Sequence, residues 1–142
     1  MIISDHAIEI LRPPHEVFAY LMDISNYKLW QSGLVEVKAS KGLQVGSEIV
    51  FTSIGIGQTF KLRAVVTEND LATSFRVLSR QGPVSFDSQY VLETNGSHTI
   101  LSVINRVDTG SIFKIAENVL QSVSDAKYQA DLKTLKALLE AS

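Results

Sequence analysis

Val84-Ser85-Phe86-Asp87-Ser88-Gln89-Tyr90-Val91-Leu92 is the stretch that decides the fold. Its even positions form the apolar face, Val84, Phe86, Tyr90 and Leu92 with Ser88 among them, while Asp87 and Gln89 fall on odd positions. A period of two belongs to a half-buried strand, because successive side chains point to opposite faces. Asn95-Gly96 follows, a strong signal for a two-residue hairpin. Upstream, Phe60-Lys61-Leu62-Arg63-Ala64-Val65-Val66 alternates in the same way, with Lys61 and Arg63 on the odd face. Turn signals recur at Gly42 to Gly46, Gly55 to Gly57, Asn69-Asp70 and Gly82-Pro83. Strands joined by tight turns make an antiparallel meander, since a parallel pair needs a long crossover.

Both flanks extend this reading. Ile2 to Leu11 alternates as a strand, with Ile8 and Ile10 on one face, and Arg12-Pro13-Pro14 stops it. Proline suits the first turn of a helix, and Val17, Phe18, Leu21 and Met22 recur at helical spacing after it. Asp23 and Ser25 can cap a second short helix running to about Gln31, with Tyr27 and Trp30 on one side and Gly33 as its stop. From about Ser111 to Glu140 there is no Gly or Pro. Ile112, Ala116, Val119 and Val123 form one stripe of that helix, continued after a drift in phase by Tyr128, Leu132, Leu135 and Leu139. A helix of ~28 residues reaches ~42 Å, and seven strands are ~30 Å wide. One helix can therefore cross the whole sheet.

The expected architecture is α+β and a single domain over residues 1–142. It runs as a strand, two short helices, a six-stranded antiparallel meander and a long C-terminal helix packed across the curved sheet. A curved sheet and a straight helix cannot touch everywhere. The gap is either filled by bulky side chains or left as a pocket for a small molecule.

Composition narrows the function classes. The 142 residues are 45% apolar and 20% charged, which is globular rather than disordered. Thirteen Lys and Arg against fifteen Asp and Glu give a net charge of −2, without the basic excess of a nucleic-acid binder. There is no cysteine, so no thiolate nucleophile and no Cys-ligated zinc. No apolar run is long enough for a membrane span. The first residues lack a signal-peptide pattern, so a cytoplasmic location is the expectation.

The strand parities put His6, Ile8 and Ile10, Ile49 and Phe51, Phe60, Leu62 and Ala64, and Phe75 and Val77 on the inner face. Phe86, Ser88 and Tyr90, and Leu101, Val103 and Asn105, complete it. One bulge would flip a strand. The candidate ligand-binding residues are Tyr27, Trp30, Phe51, Phe60, Phe75, Ser88, Tyr90, Val103, Asn105, Ala116 and Val123. Tyr27 and Trp30 either plug the sheet's open end, which the bulk of a tryptophan favours, or wall a pocket mouth. Ser88, Tyr90 and Asn105 either bond to neighbours and water or orient a ligand oxygen. His6 is the weak candidate for acid/base work. It needs Ser88, Tyr90 or Asn105 within reach, and a histidine near a strand's start is more often idle.

Other motifs are set aside. Gly55-Ile56-Gly57 opens no helix and so is no dinucleotide site. As a loop over a pocket entrance it would make Ile56 a gate. His15-Glu16-Val17-Phe18-Ala19 has alanine where a zinc-protease helix needs its second histidine. No metal and no cofactor is expected. Arg63, Arg76, Arg80 and Arg106 belong to a solvated outer face unless one turns inward, which would suggest an anionic headgroup.

The chain resembles the polyketide cyclase/dehydrase-like branch of the START-like, or Bet v 1-like (SRPBCC), helix-grip superfamily. The residues that carry the resemblance are Ile8-Glu9-Ile10-Leu11-Arg12-Pro13-Pro14-His15-Glu16-Val17-Phe18, then Leu21, Asp23, Tyr27 and Trp30. Val45-Gly46-Ser47 and Leu132 to Glu140 extend it to nearly the whole chain. The resemblance implies a helix-grip fold and no single catalytic motif, since its members include cyclases, aromatases and lipid or hormone binders. The leading expectation is a cavity that binds a small hydrophobic or aromatic molecule. The alternatives are a cyclase/dehydratase acting in the same cavity and a protein-interaction module with a filled interior. A homodimer through exposed aromatic positions on an edge strand is also open.

Overall fold

A computed structural model describes residues 1–55, 57–80, 84–108 and 117–141. Its seven strands are β1 (Ile2–Ile10), β2 (Leu34–Ala39), β3 (Glu48–Gly55), β4 (Gln58–Asp70), β5 (Ser74–Ser79), β6 (Ser85–Asn95) and β7 (His98–Asp108). They form one antiparallel sheet in the order β1-β7-β6-β5-β4-β3-β2. The meander therefore runs from β2 to β7, and β1 joins its far edge. The helices are α1 (Pro14–Leu21), α2 (Tyr27–Trp30) and α3 (Glu117–Glu140).

Local chemistry explains the joints. Pro13 is extended at φ −69° and Pro14 opens α1, where a missing N–H costs nothing. Asp23 accepts from Ser25 N at 3.0 Å and Ser25 Oγ at 2.6 Å, capping a 3₁₀ turn over Ile24–Asn26 that leads into α2. Gly33 then turns the chain into β2 at φ +80°, and a Cβ there would lie 2.7 Å from the Ile54 carbonyl oxygen. Only glycine allows both that dihedral and that approach.

The strand parities hold. Ile10, Ile49, Ala64, Phe75, Val77, Leu101 and Val103 are buried on the concave side, where Val17, Phe18 and Leu21 from α1 and Leu132, Leu135 and Leu139 from α3 meet them. A bulge falls between Val66 and Glu68, and another between Leu34 and Glu36. The β4 bulge shifts the parity, so that Asn69 comes opposite Phe75 beyond it, while Phe60, Leu62 and Ala64 lie before the shift and stay in phase. Arg63 pairs with Glu48 at 2.9 Å, and Arg76 grips Asp87 with two bonds of 2.9 and 2.6 Å.

Three expectations shift. The β6–β7 turn is Gly96-Ser97, one residue later than the Asn95-Gly96 pair, because Asn95 still pairs with His98. Gly96, at φ +63°, takes the first central position, as a II′ turn requires. Asn69 and Asp70 remain in β4, and the turn follows them with Ala72 at φ +60°. The third shift concerns α3. Val119 and Val123 are about half exposed, at 48% and 53%. The described helix starts at Glu117, so Ile112 and Ala116 lie outside the described residues.

The face that α3 actually buries can be traced back from Leu132 through Tyr128 to Ser124, Asp125 and Gln121. That half of the interface is mostly polar, although Leu120 is buried there too. Gln121 accepts from Ile3 N at 3.1 Å and donates to Ile3 O at 2.6 Å, so a side chain covers part of the open edge of β1. Ser4 and Ser124 share a 2.8 Å bond, and His6 Nε2 meets Asp125 at 3.1 Å.

Candidate functional site

A cavity of about 300 Å³ lies between the concave sheet and α3. Its apolar wall is built strand by strand: Phe51 from β3, Phe60 and Leu62 from β4, Phe75 and Val77 from β5, Phe86 from β6 and Val103 from β7. Alternation explains the set, since every one of these residues sits on its strand's inward parity. Phe51 and Phe86 meet edge to face at 6.1 Å, as do Phe75 and Tyr90.

Tyr27 and Trp30 form the wall on the α2 side. Three residues apart on a short helix, they share its inner face and are buried, with ring centroids 6.4 Å apart. Trp30 also stands edge-on to Tyr90 at 6.4 Å. Both readings of this pair are true in part: the rings fill volume in the core and they line the cavity. Trp30 Nε1 is buried and has no hydrogen-bond partner among the described residues.

One flank of the cavity is polar. Ser88 on β6 faces Asn105 on β7 in register, and its hydroxyl donates to the Asn105 carbonyl oxygen. The Asn105 side chain in turn bonds to Tyr128 of α3. Burial, with the nearby charge of Asp131, pushes the Tyr128 phenol up to about 12, partly offset by Asn105. Burial likewise raises Tyr27 and lifts Tyr90 well above its ordinary value, with the neighbouring Tyr27, Tyr128 and Asp131 adding to the latter. All three phenols stay protonated near neutrality and so each has a hydrogen to donate.

Asp131, one turn of α3 beyond Lys127, is 3% exposed. One of its oxygens accepts from Ser32 N at 3.1 Å and the other from Lys127 Nζ at 2.5 Å. The carboxylate thus ties the segment after α2 to α3 and holds the only paired charges on the described cavity wall. A buried ion pair of this kind stabilises little by itself but is costly to break.

Of the eleven candidate ligand-binding residues, Tyr27, Trp30, Phe51, Phe60, Phe75, Ser88, Tyr90, Val103 and Asn105 line the cavity. Val123 does not: it faces solvent, because the buried stripe of α3 runs through Tyr128 and Ser124 instead. Ala116 and Ile56 lie outside the described residues. His6 is on the inward parity of β1, as expected, but its neighbour is Asp125 under α3, and it is not among the residues lining the cavity. Sequence reasoning missed Lys127, Tyr128 and Asp131 as site residues. The signal was present in the helical spacing from Leu132 back to Tyr128, but a buried aspartate among solvated helix residues has no mark of its own.

Solved structures show the same architecture. TTHA0849 from Thermus thermophilus superposes with a TM-score of 0.84 at 15% identity, over 98% of this chain and 97% of that one. The Zhui aromatase/cyclase from Streptomyces sp. R1128 gives 0.81 at 15% identity, over 97% and 93%. A START superfamily protein from Mycobacterium smegmatis gives 0.79 at 12% identity, over 98% and 97%. At such identities the likeness is one of fold. No curated protein matches the sequence. Residues 1–140 match the family described as polyketide cyclase/dehydrase and lipid transport. With the helix-grip architecture in place and the match spanning all but the last two residues, this chain belongs to the polyketide cyclase/dehydrase and lipid transport family.

Proposed function

We propose that this protein binds a compact hydrophobic or aromatic molecule in the cavity between the sheet and α3. The observation that carries the proposal is the cavity of about 300 Å³, walled by phenylalanines and aliphatics with a few convergent polar groups on one flank. That is the general form of a small-molecule site. The volume lies at the small end of the ~300–1,000 Å³ typical of such sites, which favours a ring-sized ligand over a two-chain lipid. A filled interior is what an interaction module needs, and the hollow argues against that reading.

A cyclase/dehydratase is the second reading. Folding a flexible chain for intramolecular attack needs confinement and few catalytic groups. The protonated tyrosines supply donors to a developing oxyanion, whereas His6 does not line the cavity and so is not placed to act as the base. In the same proposal the chain works as one unit over residues 1–142, in the cytoplasm, with a small hydrophobic molecule rather than nucleic acid as its partner. A homodimer through an edge strand would sediment at twice the chain mass. No helix among the described residues is long and apolar enough to cross a membrane.

Native mass spectrometry of freshly purified protein tests the proposal. A bound apolar compound of one defined mass, released on unfolding, is expected. Protein that carries nothing and gains no mass from a panel of small aromatic compounds would contradict it.

A further inference from the structure

The hydrogen-bonding groups of the cavity are unbalanced. Ser88 donates to Asn105, and Asn105 bonds to Tyr128. The two Asp131 oxygens are occupied by Ser32 N and Lys127. Tyr90 stands edge-on to Trp30 and Phe75 at 6.4 and 6.1 Å on the cavity wall, and its hydroxyl has no hydrogen-bond partner among the described residues. Tyr90 is only half-buried, whereas Tyr27 is buried. Its open surface is on the cavity that it lines. A donor left unpaired away from bulk water is costly, and the missing partner is an acceptor carried in by the ligand or by water.

Charge narrows the class further. An anionic ligand needs a cation, and Lys127 is committed to Asp131 at 2.5 Å. The phenols are held protonated by burial and offer donors rather than charge. We infer that the cavity selects an uncharged, compact ring compound carrying a carbonyl-type oxygen, and that Tyr90 is the specificity-determining donor to that oxygen. This rests on the small-molecule reading above and adds the ligand class and the residue that reads it.

Three probes share one tricyclic frame: fluorene, the ketone fluorenone and the anion fluorenecarboxylate. Equilibrium dialysis against the full chain gives their affinities. Fluorenone is expected to bind about tenfold tighter than fluorene, the worth of one buried hydrogen bond, and fluorenecarboxylate more weakly than either. Tyr90→Phe should leave fluorene binding unchanged and erase the ketone preference, while Tyr27→Phe should retain it. Equal binding of fluorene and fluorenone, a preference that survives Tyr90→Phe, or tightest binding of the carboxylate would overturn the inference and leave the small-molecule reading standing. Failure of all three probes to bind would overturn both. Thermal melts of the two variants, each the loss of a single oxygen, check that the fold is intact.

Discussion

Gly33 shows how much one residue can carry. Its positive φ and the 2.7 Å approach to the Ile54 carbonyl fix where β2 begins relative to β3, and so where Tyr27 and Trp30 face. Gly33→Ala is expected to lower stability by about 1–3 kcal/mol through backbone strain, read as a lower urea midpoint with an unchanged slope. Asp131 is the second such residue. Asp131→Asn leaves Lys127 without its partner at the cavity wall and weakens the acceptor at Ser32 N. Breaking a buried pair from one side costs about 3–5 kcal/mol, reduced here because Lys127 is 38% exposed. A clear drop in melting temperature is expected, and no change would mean the pair is idle. Strand residues of the site were legible in the sequence because alternation is unbroken through the lining residues of β3 to β7, the β4 bulge falling beyond Phe60 and Leu62. Asp131 was not, because its role depends on a backbone N–H ninety-nine residues away in the chain.

At the level of elements, α3 divides in two. Its C-terminal half buries Leu132, Leu135 and Leu139, and its N-terminal half is fastened to β1 by Gln121, Ser124 and Asp125. Leu135→Ala should cost about 2–5 kcal/mol, whereas Val123→Ala, at an exposed position, should stay within about 0.5 kcal/mol. Denaturant titration of both variants tests the revised phase of the helix. The expected stripe through Val119 and Val123 failed because apolar residues mark a buried helix face only where the opposing surface is apolar. Here β1 offers polar groups at Ile3, Ser4 and His6, so Gln121, Ser124 and Asp125 turn toward it, and Leu120 rather than Val119 is the buried apolar residue. Across β5 and β6, Arg76 holds the Asp87 carboxyl below its ordinary value of 3.8. A depressed folded-state value gives stability that is present above pH 3.8 and lost as pH falls through the folded value. Asp87→Asn should therefore lower the melting temperature at neutral pH, and the gap to wild type should close in acid below that window.

For the whole molecule, the order of elements in the sequence already implied a sheet gripping a helix. What it left open was whether bulky side chains fill the space between them. Aromatic rings meet edge to face on the concave side, Phe51 of β3 reaching Phe86 of β6, yet about 300 Å³ remains. Trp30 is the chain's only tryptophan and lines that space, so its fluorescence reports the cavity alone. The most direct measurement is a titration of Trp30 emission with a small aromatic ketone, in wild type and in Val103→Phe, which adds bulk from the floor. Saturable quenching at one ligand per chain, lost in Val103→Phe while the fold survives, is the predicted result. Quenching that never saturates, or is the same in both proteins, would contradict a ligand-binding cavity.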